Sequence, residues 1–378
     1  MAGKGPYRAD HVGSFLRPQK LRDARQRFQK GELSATELRA MEDAAIRDLV
    51  AFEEGLGLHA ITDGEFRRSG FHIDFLVKLE GVEMTRPAVG PRFQGPSPSS
   101  NVSAPGSGGL PTPKVTGRLG RGNGILIEGF KFLKSVTKRT AKVTIPSPSM
   151  LHFRGGREAV DKIAYPTMEE FYADLVRVWR EEINALGAAG CTYVQLDDTN
   201  LAYLCDPKHR ERIESRGENP DDVTRLYAKL ITDVFKSRPA GMTAAVHLCR
   251  GNARSNWMAE GGYEPVAEIM LNETGIDGFF LEYDDARSGG FEPLRFLPKG
   301  KRAVLGLITT KTGKLENADD LRRRIDEASK FAPLDQLCLS PQCGFASTEQ
   351  GNLITEDEQK RKLELVVSVA EKVWGTAA

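Results

Sequence analysis

Three separate stretches of this 378-residue sequence carry side chains able to share one metal ion: His247-Leu248-Cys249, Glu282 and Cys343. On a β-strand, residues i and i+2 face the same way, so an imidazole and a thiolate two residues apart converge on one point. By itself, a His-x-Cys pair is a weak signal and reads first as a buried cysteine beside a hydrogen-bonded histidine. The two later positions add to it. Glu282 closes the apolar run Gly278 to Leu281, where a buried carboxylate needs a partner to offset its desolvation. Cys343 follows the run Leu337 to Ser340 in a Pro-Gln-Cys-Gly turn. A mixed nitrogen, sulfur and oxygen set with two thiolates selects zinc over magnesium or calcium. The chemistry available to such a centre is thiol activation, because coordination deprotonates a thiol that is mostly protonated at pH 7.

Other groups offer acid-base chemistry. His11, His72 and His152 titrate near neutrality, and His11, on the first predicted strand, is the strongest of the three. His72 and His152 read equally as packed or hydrogen-bonded side chains. Cys191, Cys205 and Cys338 read as ordinary buried or loop thiols.

For these residues to meet, strand ends must be brought to one side of a sheet. Eight runs have strand character: Arg8 to Phe15, His59 to Asp63, Lys142 to Pro146, Tyr193 to Asp197, Ala244 to Cys249, Gly278 to Tyr283, Ala303 to Thr309 and Leu337 to Pro341. Most end in a polar or small residue. Between them lie helical patterns, the clearest running through Phe171, Leu175, Val178, Trp179, Ile183 and Leu186, opened by Thr167 and Glu170 in a capping-box spacing. Others run near Glu37 to Glu54, Arg225 to Ser237, Leu321 to Phe331 and Glu356 to Val373. This alternation predicts an α/β fold, a single (β/α)8 TIM barrel over residues 1–378, which delivers its chemistry at the C-terminal ends of its strands. From Ala88 to Gly124 the chain is rich in Gly, Pro and Ser and predicts a long insertion between strands two and three. It reads as a solvated excursion or a lid, with a short hairpin around Lys114 to Gly120.

Composition narrows the partners. Lys plus Arg, 53, nearly cancels Asp plus Glu, 52, which leaves no basic footprint for nucleic acid and no polybasic face for a membrane. No apolar stretch is long enough for a membrane span, and residues 1–10 lack the apolar core of an export signal. Five cysteines are few and odd in number, which argues against a disulfide framework and for reduced thiols in the cytoplasm. A small-molecule substrate is the expectation.

The segments Thr62-Asp63-Gly64-Glu65, Val194-Gln195-Leu196-Asp197, His247-Leu248-Cys249, Phe280-Leu281-Glu282 and Ser340-Pro341-Gln342-Cys343-Gly344 resemble, in order, the catalytic barrel of cobalamin-independent methionine synthase. The resemblance implies that His247, Cys249, Glu282 and Cys343 bind a catalytic zinc. It implies further that Ser14, Glu65 and Asp197 hold the amino and carboxyl ends of homocysteine, which is methylated to methionine. The partners implied are a small thiol and an alkyl donor: methylfolate, another methyl carrier or an epoxide. The chain resembles the short, single-barrel relatives, which share the form His-x-Cys-Arg-Gly-Asn found at His247 to Asn252. It departs from the synthase after strand seven, where Ile308-Thr309-Thr310-Lys311 stands in place of a proton-donating histidine.

That departure keeps a second alkyl transfer open, similar to epoxyalkane:coenzyme M transferase, in which a small thiol opens an epoxide. A sulfonated thiol would need a cationic pocket, for which Arg17, Arg67, Arg68 or Arg250 could serve. Two readings from other classes are a metal-free decarboxylase of the uroporphyrinogen type and a methyl-carrier binding protein with a structural zinc.

Overall fold

The computed structural model describes residues 4–85, 93–95 and 112–378. Nine strands lie along them: β1 (Ala60–Ile61), β2 (Glu80–Thr85), β3 (Thr112–Gly120), β4 (Thr140–Pro146), β5 (Tyr193–Asp198), β6 (Thr243–Leu248), β7 (Gly278–Glu282), β8 (Arg302–Ile308) and β9 (Leu337–Pro341). Seven of them form one all-parallel sheet in the order β1-β4-β5-β6-β7-β8-β9. Helices connect successive strands, as a parallel sheet requires.

Alternation along the strands sorts side chains into two apolar clusters. Tyr193, Ala245, Phe280, Val304 and Cys338 pack with Tyr7, Val12 and Ala60 in a small one. Their neighbours one residue on, including Val194, Val246, Leu281, Leu305 and Leu339, join the large cluster that holds the helices. Asp197 is four residues from Tyr193, His247 two from Ala245 and Glu282 two from Phe280, so all three share the face of the small cluster. Register then levels Asp197 with His247 and, since His247 stands opposite Phe280, sets Glu282 two residues further toward the strand ends.

The first predicted strand, Arg8 to Phe15, is reduced to one parallel bridge between Ala9 and Leu339. The Asp10 carboxylate is the reason. It accepts from the backbone N–H groups of Tyr7 (3.1 Å) and His11 (2.8 Å), from the Tyr193 hydroxyl (3.0 Å) and from Lys142 Nζ (3.0 Å). A local side-chain acceptor thus takes donors that a ladder would use. The segment nevertheless fills the space between β9 and β1. The Leu339 N–H donates to Arg8 O at 2.8 Å, and on the other side the Phe15 N–H donates to Gly64 O at 3.1 Å. Gly13 passes Thr144 with φ +132°, and a Cβ there would come within 2.7 Å of Thr144 Cγ2.

Helix ends follow local capping. Met168–Ala188 begins at Thr167, whose side chain accepts from the Glu170 N–H. Ala35–Gly55 and Glu356–Trp374 carry reciprocal boxes, Ser34 with Glu37 and Thr355 with Glu358. Pro220–Phe235 starts five residues before the apolar pattern predicts, because Asn219 caps it and Pro220 suits the first helical position. Ala318–Ala328 likewise starts at an asparagine cap, Asn317, and ends before the predicted Phe331.

Within the predicted insertion, Lys114 to Gly120 does not form a hairpin of its own. It belongs to β3, which pairs antiparallel with β2. Gly81 makes the pairing possible at a bulge, since a Cβ there would meet Arg118 O at 2.4 Å. Of the rest of the insertion, residues 88–92 and 96–111 lie outside the described residues, and so does any lid formed by them. Among the described residues, no helix is long and apolar enough to cross a membrane.

Candidate metal centre

His247 stands near the end of β6, and Cys249 follows one residue beyond it. The Cys249 N–H donates to Asp198 O at 2.9 Å, which extends the ladder with β5 and keeps both side chains on one face. Glu282 is the last residue of β7. Cys343 reaches the same place from the turn after β9, held by the Gln342 N–H to Ile308 O at 2.8 Å. Gly344 leaves room there for Ser14, since a Cβ would fall 1.9 Å from its Oγ and force that hydroxyl to turn away.

The structure brings these four side chains together: one ligand atom from each lies within 4.8 Å of all the others, and all four residues are buried. Cys249 Sγ and Cys343 Sγ are 3.4 Å apart. Both ring nitrogens of His247 are buried without a hydrogen-bond partner, as is Glu282 Oε2. Its nearest cation is Arg287 Nη2, at 3.9 Å. Glu282 Oε1 accepts from the Arg250 N–H at 3.0 Å, and the Glu282 N–H donates to the Tyr263 hydroxyl at 2.8 Å, which fixes the carboxylate. Buried polar atoms left unpaired at one point are costly, and a cation among them removes the cost.

Electrostatics agree with that fit. The Cys249 thiol, hydrogen-bonded to Cys343, holds the latter well below the usual thiol range, against burial and with help from His247. The same contact, then burial, pushes Cys249 well up. Burial, then the Cys343 charge, raises the Glu282 carboxyl. Two sulfurs and a carboxylate thus compete for protons that a divalent ion would displace.

Three of the four ligand residues form part of the wall of a cavity that opens to solvent at its mouth. His247, Cys249 and Cys343 line it, together with Ser14, Glu65 and Asp197. Glu65 projects from a left-handed residue (φ 58°) in the turn after β1, where its N–H donates to Asp63 Oδ1 at 2.9 Å. Glu65 Oε1 accepts from Thr144 Oγ1 at 2.9 Å, while Oε2 has no partner. Asp197 Oδ1 accepts from Gln195 Nε2 at 2.7 Å.

Burial, then the charge of Glu65, pushes the Asp197 carboxyl up to about 7. A carboxyl raised above its unfolded value favours the fold at low pH, and that contribution is lost as pH rises through the folded value. In metal-free, substrate-free protein, Asp197→Asn is therefore expected to raise the unfolding free energy at pH 8 by about 1–3 kcal/mol. Urea unfolding at pH 8 and pH 5 checks this. The gain should shrink at pH 5, and an equal gain at both would contradict it.

Two predicted residues do not reach the cavity. Arg250 follows Cys249 with the opposite side-chain direction, and its guanidinium, wholly buried, lies 4.4 Å from the Tyr263 ring centroid. His11 is buried with its Nε2 2.9 Å from Ala60 O and 3.2 Å from Glu53 Oε1. Nor is the expected cationic pocket built from the other arginines. Arg17 donates to four backbone carbonyls, those of Ala346, Thr348, Glu65 and Arg68. Arg67 pairs with Glu42 and Asp43, and Arg68 donates to Thr144 O at 2.7 Å. Among the described residues, the arginine that lines the cavity is Arg154, which contacts Thr112 Oγ1 at 3.5 Å. His72 lines the cavity as well, pushed down to about 3 by burial and then by Arg154, and so stays a neutral imidazole near pH 7. His152 does not; its ring nitrogens meet the Tyr227 and Tyr172 hydroxyls at 2.9 and 3.1 Å. His72, Arg154 and Tyr203 each follow the C-terminal end of a strand, and that position is the signal by which the sequence could reveal them.

Comparison with known proteins places this architecture. The chain matches the family described as cobalamin-independent synthase, catalytic domain, over residues 8–372. It is 46% identical over 373 residues to the uncharacterized protein YxjH of Bacillus subtilis (strain 168), covering 98% of this chain and 96% of that one. The crystal structure of a putative vitamin-B12 independent methionine synthase from Listeria monocytogenes superposes with a TM-score of 0.77 at 38% identity, covering 99% of each chain. The 5-methyltetrahydropteroyltriglutamate--homocysteine methyltransferase of Trichodesmium erythraeum (strain IMS101) is 23% identical over 88% of this chain, which spans 40% of that longer protein. With nearly its whole length inside the family match, the chain belongs to the cobalamin-independent methionine synthase family, through its catalytic domain.

Proposed function

We propose that this protein is a zinc-dependent methyltransferase that methylates the thiol of homocysteine to give methionine. The observation that carries the reading is the meeting of His247, Cys249, Glu282 and Cys343 at the wall of a cavity that also presents Glu65 and Asp197. Zinc held there would lower the substrate thiol's pKa, and the thiolate sulfur would bond to the methyl carbon as the bond from that carbon to its carrier breaks, its electron pair leaving with the carrier. The chain's own residues do the rest. The free Oε2 of Glu65 and the carboxylate of Asp197 suit an α-ammonium group, and Ser14 stands on the same wall. Arg250 and Tyr263 orient Glu282 through its Oε1 and its N–H. We read the seven-stranded sheet and its Ala9 bridge as one (β/α)8 barrel, a single catalytic domain. The five free cysteines suit the reducing cytoplasm.

Arg154 favours a second reading, in which a sulfonated thiol opens an epoxide. Two carboxylates facing the same space oppose a sulfonate and favour an amine. A metal-free decarboxylase would leave the buried His247 nitrogens and the thiol pair without purpose. The deciding assay follows loss of free thiol by the zinc-loaded protein, offered homocysteine or coenzyme M with methylfolate, methylcobalamin or epoxypropane. Consumption of homocysteine with a methyl donor is expected. Consumption of coenzyme M with epoxypropane alone would transfer the assignment to the second reading, and a metal-binding protein inert to every pair would make the zinc structural.

A further inference from the structure

We propose that Lys311 is the resident counter-charge of the metal centre, a positioning residue that sets how tightly the cluster holds its cation. The inference rests on reading His247, Cys249, Glu282 and Cys343 as a zinc site. Lys311 follows β8 and is only 4% exposed. Its backbone N–H donates to Thr309 Oγ1 at 3.2 Å, turning the chain inward. The ammonium makes a single, long hydrogen bond, 3.5 Å to the carbonyl of Gly251, two residues beyond Cys249. Among the described residues it forms no ion pair with a carboxylate. A lysine ammonium has three donors, and burying it with one long contact is expensive unless a negative charge lies close by.

The nearby charge is the cluster itself. Lys311 Nζ reaches the carbonyl two residues beyond Cys249, and its neighbour Thr310 donates through its N–H to Gln342 Oε1 at 3.2 Å and through Oγ1 to Gly344 O at 3.3 Å, on either side of Cys343. Two thiolates and a carboxylate bring three negative charges to a divalent ion, which leaves one in excess. One ammonium cancels it, since Arg287, 3.9 Å from Glu282, is already paired with Asp284 and Asp285. A substrate thiol that took the place of the Glu282 carboxylate and left its proton on that carboxylate would not change that count, so the same lysine serves both states. Lys311 does not line the cavity, which separates this role from proton transfer to a substrate.

The test uses the purified full chain, with zinc affinity read by competition against a chromophoric chelator. Lys311→Met is expected to weaken zinc binding by about 10–100-fold, and Lys311→Arg, which keeps the charge, to recover most of that loss. The cobalt-substituted Lys311→Met protein should keep its sulfur-to-cobalt charge-transfer bands, because both cysteines still ligate. Should Lys311→Met fail to fold by circular dichroism, Lys311→Gln is read in the same way. Unchanged zinc affinity in the neutral variant would overturn the proposal. Equal losses in the Met and Arg variants, with altered cobalt bands, would also overturn it by making the effect one of packing. Wild-type protein that binds no zinc would sink the metal reading and this inference together, whereas wild-type binding with an unaffected variant sinks only this one.

Discussion

Cys249→Ala or Cys343→Ala will leave a folded protein that neither retains zinc nor consumes a thiol. The two sulfurs sit 3.4 Å apart within a four-residue cluster, so removing either leaves three ligand side chains and one thiolate. Structural zinc sites bind with roughly 10–16 kcal/mol, and losing one of two thiolates should lower affinity by at least about two orders of magnitude. The fold does not depend on the ion. Its apolar clusters are continuous, and Asp10, Lys142 and Tyr193 satisfy one another without it. Zinc content after dialysis against a chelator, far-UV circular dichroism and thiol consumption check the three parts. Full turnover by either variant would show that the coordination is misassigned.

Glu65→Gln combined with Asp197→Asn is expected to erase the preference for an amino thiol. The free oxygen of Glu65 and the Asp197 carboxylate face the cavity beside the metal ligands. Removing one partner of a buried, hydrogen-bonded charge pair costs about 2–5 kcal/mol. Homocysteine kcat/KM should therefore fall by roughly 30-fold or more, while turnover of its des-amino analogue, 4-mercaptobutanoate, stays nearly constant. Equal losses for both thiols would point to damage at the metal instead, and no loss for either would remove these residues from substrate binding.

Much of the candidate site is legible in the amino-acid sequence, and the reasons are physical. Strand periodicity reports which face a side chain takes, and that puts His247 with Cys249 and Glu282 on a common side of the sheet. The same rule, applied one residue further, aims Arg250 at the opposite face, where the Tyr263 ring receives it. His11 and the first strand are not legible because the Asp10 carboxylate captures its neighbours' N–H groups, a choice that hydrophobic pattern does not record. Arg154 and His72 follow strand ends, which the sequence marks, but they sit in irregular loops without the periodicity that would say which way each side chain turns. The start of Pro220–Phe235 is written in its cap, Asn219-Pro220, and not in its apolar spacing.

X-ray absorption at the zinc edge, with and without homocysteine, addresses the centre of the account most directly. One zinc per chain is predicted, bound by the two cysteine sulfurs and two lighter atoms from His247 and Glu282, with a third sulfur replacing one lighter atom once the thiol is added. A metal-free protein, or a sulfur count that homocysteine leaves unchanged, would contradict it.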